Sequence, residues 1–98
     1  MSQSGSFTFY TYARVDPSRE DRWAYTGISD IFFDDEESAR QDLRELRADV
    51  ESEAGYTWQP MQLEKIETLP VSRETILALL NDGVGSFVRK YEIVEVID

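Results

Sequence analysis

The chain contains no cysteine and no histidine. The first absence removes disulfides, thiolate nucleophiles and cysteine-held metals. The second removes the common zinc sites and every catalytic triad built on an imidazole. Basic residues are also scarce: 10 Lys and Arg stand against 20 Asp and Glu, a net charge of −10. A surface of that sign does not attract a nucleic-acid backbone or an anionic membrane, so neither is an expected partner. Long apolar runs are missing too. The longest, residues 76–80, is far short of the ~20 residues a membrane-crossing helix needs. The start of the chain lacks a charged-then-apolar leader pattern, and a cytoplasmic location is the expectation.

What is present describes a folded chain. Hydrophobic residues make up 41% and charged residues 31% of 98 residues, the balance of one globular domain with a modest core. Residues 1–6 (MSQSGS) are small and polar and are expected to form a disordered tail. Residues 7–98 form a single domain.

The stretch 34–55 organises the rest. Ala39, Leu43, Leu46 and Val50 recur at spacings of four, three and four, the apolar stripe of a helix lying on a sheet. Asp34 is the expected N-cap, with Glu37 completing a capping box. Gly55 suits the left-handed residue that follows a helix. Arg40, Arg44 and Arg47 flank the stripe on one side and Asp42, Glu45 and Asp49 on the other. They offer a charge-reading edge, or simply a solvated face with arginine stems along the sheet.

Strand-like sequence surrounds this helix. Residues 7–15 and 22–29, separated by Asp-Pro-Ser turn chemistry, read as a hairpin. Pairing Val15 with Arg22 sets Phe9, Thr11 and Ala13 opposite Ile28, Thr26 and Ala24, a small apolar face for the helix. The other face then holds Tyr12 opposite Tyr25, Arg14 opposite Trp23 and Tyr10 opposite Gly27. Residues 61–69 form a third strand with imperfect alternation. Ser72 caps a second helix over 73–82, with Val71 and Ile76 stapled across the cap and Ile76, Leu77, Leu79 and Leu80 buried. Gly83 stops it. A last strand, 87–97, turns Phe87, Tyr91, Ile93 and Ile97 to the core. The reading is an α+β two-layer sandwich in ββαβαβ order. Its four-stranded mixed sheet is antiparallel at the hairpin and parallel across each helix, with both helices on one face. Leu43, Leu46, Val50, Phe9, Ile28, Ile76, Leu80 and Ile93 should be mutually buried.

Chemistry-bearing motifs are few. The loop Gly83-Val84-Gly85-Ser86 follows a helix and precedes a strand, the reverse of a phosphate cradle, and reads as a C-cap. The acids at 34–37 lack the alternating ligands and central glycine of a calcium loop and instead complement the helix dipole. No cofactor or metal site is expected. Tyr10, Tyr12, Arg14, Trp23 and Tyr25 stand out because the proposed register gathers them on the uncovered hairpin face. Tyr, Trp and Arg dominate interface hot spots; the alternative is that tyrosines pack together on a half-wet antiparallel face. The function that follows is a small acidic, non-enzymatic interaction or regulatory domain that binds a protein partner, or a second copy, through that aromatic sheet face. Two alternatives come from other classes. One is an acidic mimic of nucleic acid that occupies the site of a basic protein. The other is a small enzyme working through paired carboxylates.

Overall fold

The computed structural model describes residues 5–15, 22–23 and 31–98. Five elements follow one another: β1 (Thr8–Arg14), α1 (Glu36–Ser52), β2 (Met61–Thr68), α2 (Arg73–Asp82) and β3 (Val88–Ile97), with a 3₁₀ turn at Val84–Phe87 before β3. The class is α+β, with two helices and an antiparallel sheet.

Three corrections to the expected topology are needed. Among the described residues the sheet has three strands, in the order β1-β2-β3, where four were expected. The element order among the described residues is βαβαβ, because Arg22 and Trp23 form a turn and the rest of the expected second strand, 24–29, lies outside those residues. Both strand pairs are antiparallel, so the sheet is not mixed. The parallel rule belongs to compact strand–helix–strand units. Here more than a helix separates β1 from β2, and the chain re-enters the sheet at the end it left, with Met61 beside Arg14.

Register decides what each face carries. Tyr12 pairs with Leu63, Tyr10 with Lys65 and Arg14 with Met61, so these side chains share one face. Phe9 with Ile66, Thr11 with Glu64 and Ala13 with Gln62 share the other. The first is the helix face: the Tyr12 hydroxyl donates to Asp42 of α1 at 2.5 Å, and Leu43 and Leu63 are both fully buried. The expectation that α1 lies on Phe9, Thr11 and Ala13 is therefore reversed. A tyrosine suits the edge of that interface, since its ring packs while its hydroxyl finds a carboxylate.

β2 is the central strand and is buried on both sides. Leu63 faces α1, while Gln62, Glu64, Ile66 and Thr68 are buried on the far face. This explains its imperfect alternation, which belongs to a strand covered twice. Along β3 the register to β2 shifts twice, between Leu63/Glu64 and between Glu67/Thr68. Val94 and Arg89 are the extra residues. The bulges place Val88, Tyr91, Ile93 and Val96 on the far face, a set that strict alternation cannot produce.

The helix ends follow local chemistry. Asp35, one residue later than expected, is the N-cap of α1 and accepts from the Ser38 N–H at 2.7 Å. That hydrogen bond holds its carboxyl below the usual carboxylate range. Ala39 and Leu43 are buried, and Leu46 and Val50 half-buried, so the expected stripe is the one that packs. Ser72 caps α2 in a capping box with Thr75, and Gly83, at φ 90°, closes it by donating to the Leu79 carbonyl. The expected buried face of α2 does not form. Leu79 is half-buried, whereas Ile76, Leu77 and Leu80 are exposed. α2 rests on the 3₁₀ turn, whose Ser86 hydroxyl donates to the Ala78 carbonyl at 3.0 Å. It does not share a face of the sheet with α1. At the N-terminal end, the Gly5 carbonyl accepts from the Val71 N–H; the remainder of the expected tail, 1–4, lies outside the described residues.

Candidate functional site

The far face of the sheet holds a buried charged pair. Glu64, in the middle of β2, is fully buried, and Arg22 is 7% exposed above it. Arg22 Nε donates to both carboxylate oxygens at 2.8 and 2.9 Å, and Nη2 donates to Oε1 at 2.5 Å. Gln62 Nε2 donates to Oε2 at 2.6 Å, and the Tyr91 hydroxyl donates to the same oxygen. Burial, then the hydrogen bond to Glu64, pushes the Tyr91 phenol up to about 12. Two charges taken out of water in this way hold together only because the carboxylate is saturated with donors. A general base needs a lone pair within reach of substrate. Here both oxygens are committed and none reaches solvent, so the arrangement anchors position.

The five residues expected to form one patch are not gathered. Tyr12 lies on the helix face, stacked on Phe33 at 6.2 Å, and its phenol pKa is raised by burial and by Asp42. Tyr10 exchanges backbone hydrogen bonds with Phe33 at the outer edge of β1. Arg14 is exposed at the end of the strand. Trp23 belongs to the far face: it stacks on Phe32 at 6.1 Å, meets Tyr91 edge-on at 5.9 Å, and lies under the Arg22 guanidinium at 4.2 Å. Tyr25 lies outside the described residues. A methyl group added at Gly85 would sit 3.1 Å from Trp23 Cβ, so this glycine lets the 3₁₀ turn close over the indole.

The 3₁₀ turn borders an apolar groove of about 290 Å³, lined chiefly by Phe9, Phe32, Phe33, Ile66, Leu79 and Phe87. Leu79 is the only leucine of α2 that faces it. At 100° per residue, Ile76, Leu80 and Leu77 continue from Leu79 around the helix into solvent. Leu80 is 75% exposed, Leu77 55% and Ile76 43%, with Val71 44% exposed beside the cap. This apolar stripe sits on a helix fixed at both ends, so its exposure is not a consequence of fraying.

The charges of α1 are mostly matched at close range. Arg40 bonds Glu36 and Glu95, Arg44 bonds Glu37, and Arg47 bonds Glu51 and the Asp98 carbonyl while lying over Trp58. Arg22 and Glu64 stand 42 residues apart, so no local spacing identifies them as a pair. The polar residues Gln62 and Glu64 on one side of a strand were the available signal. Comparisons with protein families, with curated proteins and with solved structures find nothing that matches this chain.

Proposed function

We propose that this chain is a non-enzymatic protein-interaction domain, and that its contact surface is the outer side of α2. The observation that carries the reading is Leu80, three-quarters exposed beside Leu77 and Ile76 on a well-capped helix. Contiguous large apolar side chains on a soluble domain mark contact sites more often than chance exposure does. The aromatic residues first expected in that role are weaker candidates, because Tyr12 and Trp23 spend their surface on opposite faces of the sheet. The acidic-mimic alternative fares less well for a different reason. The acids of α1 are interleaved with arginines that bond several of them, which breaks up a run of negative charge.

The test compares the parent with Leu80→Lys and Trp23→Ala in affinity capture from the native cell extract, alongside circular dichroism and thermal melting. The expected result is a folded Leu80→Lys variant that loses a protein the parent captures. Trp23→Ala is expected to melt earlier, because its ring packs against Phe32, Tyr91 and Gly85. Identical capture by parent and Leu80→Lys would remove α2 as the contact surface.

A further inference from the structure

We infer that the phenylalanine-lined groove beside Leu79 binds a small cationic amphiphile, an ammonium ion carrying one phenylalkyl-sized apolar group. The apolar group lies between the phenylalanines and the ammonium meets Asp34. The site is separate from the outer side of α2 and does not depend on it.

The groove is built before any ligand arrives. Its floor is Ile66 and Thr68 of β2, 4% and 1% exposed. Its sides are pinned independently by backbone hydrogen bonds. Phe33 exchanges a pair with Tyr10 at 2.8 and 3.0 Å, and the Phe87 carbonyl accepts from the Leu69 N–H at 2.9 Å. Drawing the sides together would break one of these attachments, so the space stays open and little ordering remains to be done on binding. At about 290 Å³ it lies at the small end of ligand sites, which begin near 300 Å³ and combine apolar walls with a few polar groups. A helix, about 10 Å across, does not fit; one phenylalkyl group does.

Charge selects the head group. Asp34 is the one charged residue among those lining the groove. It is exposed, so the walls run from a buried apolar floor to an anionic rim. Asp34 makes no side-chain hydrogen bond or ion pair among the described residues, and the nearest arginines along α1 are taken: Arg40 bonds Glu36 and Glu95, and Arg44 bonds Glu37. The partial charge of about +0.5 at the start of α1 is outweighed by Asp35, Glu36 and Glu37 beside it. An anionic amphiphile would meet Asp34 within a chain of net −10 and is repelled. A cation is attracted by the carboxylate, and the faces of neighbouring aromatic rings favour it further.

Three probes with the same phenyl body test this: phenethylammonium, phenethyl alcohol and hydrocinnamate, with positive, neutral and negative heads. Each is titrated into the folded chain and followed through backbone amide chemical shifts. Phenethylammonium is expected to bind with a dissociation constant on the order of 1 mM, shifting the amides of Phe33, Asp34, Leu79 and Phe87. Phenethyl alcohol should bind about fivefold more weakly and hydrocinnamate more weakly still. Asp34→Asn should bring the ammonium down to the level of the alcohol. Glu51→Gln removes the same charge at the far end of α1 and should leave binding as in the parent. Circular dichroism confirms that both variants are folded. No saturable shift by phenethylammonium up to about ten times that concentration, equal binding of the three probes, equal losses in Asp34→Asn and Glu51→Gln, or shifts confined to residues away from the groove would each overturn the proposal.

Discussion

At the scale of the residue, Arg22 and Glu64 carry the largest single stake in stability. Removing one member leaves the other charged and buried, which costs about 3–5 kcal/mol for a pair of this kind. Glu64→Ala should lower the urea midpoint by the corresponding amount, while Arg22→Met/Glu64→Leu should lose less than either single change because no charge is stranded. Tyr91 adds a dependence on pH. Its ordinary pKa is 10.0 and its folded value about 12. Below pH 10 folded and unfolded chains both keep the proton. As pH rises toward 12 the unfolded chain releases it first, so stability falls across that window. Tyr91→Phe should flatten the fall, measured as the urea midpoint at several alkaline pH values. None of this could be read from the sequence. The pair joins distant positions, and no local period reports a contact between them.

Elements were more legible where the signals are local. The stripe of α1 and the caps of α2 depend on spacings of three and four residues, and Ala39, Leu43, Ser72 and Gly83 do what those spacings imply. Which side of a strand meets a helix is not local. Tyr12 looked like an outward residue until Asp42 supplied its hydroxyl with a partner, and the third strand looked irregular because both of its sides are covered. The four leucine and isoleucine residues of α2 looked like core by composition, yet the helix settles on a turn, away from α1. Two contrasts follow for thermal and chemical unfolding. Leu43→Ala, at a fully buried position, should cost ~2–5 kcal/mol, whereas Leu80→Ala should change monomer stability by no more than ~0.5 kcal/mol. Ser72→Ala should cost about 1 kcal/mol by removing the cap, showing that α2 is held by its ends more than by its apolar face.

For the whole molecule, charge sets the terms. With a net −10 on 98 residues, the compact chain repels itself more than the expanded one does. Raising ionic strength from 0.01 M to 0.15 M shortens the screening length from about 30 Å to about 8 Å, and the urea midpoint should rise accordingly. A fall would show that exposed ion pairs such as Arg89–Glu67 and Arg40–Glu95 outweigh the repulsion. Screening should also tighten any contact between two copies. Composition made this much legible from the start; it could not say that the acids of α1 would be met by neighbouring arginines.

β3 has a consequence beyond this fold. Among the described residues it has no strand on its outer side, and its ten residues hold neither proline nor glycine. Such a margin ordinarily recruits further chains into fibrils. The two register shifts at Arg89 and Val94 bend it twice, so an incoming strand can run flush for only a few residues before the ladder breaks. The same deviations that set Tyr91 and Val96 on one side thus act as a guard against runaway stacking. Deleting Val94 to straighten the margin is expected to yield a chain that binds amyloid dyes on prolonged incubation while the parent does not.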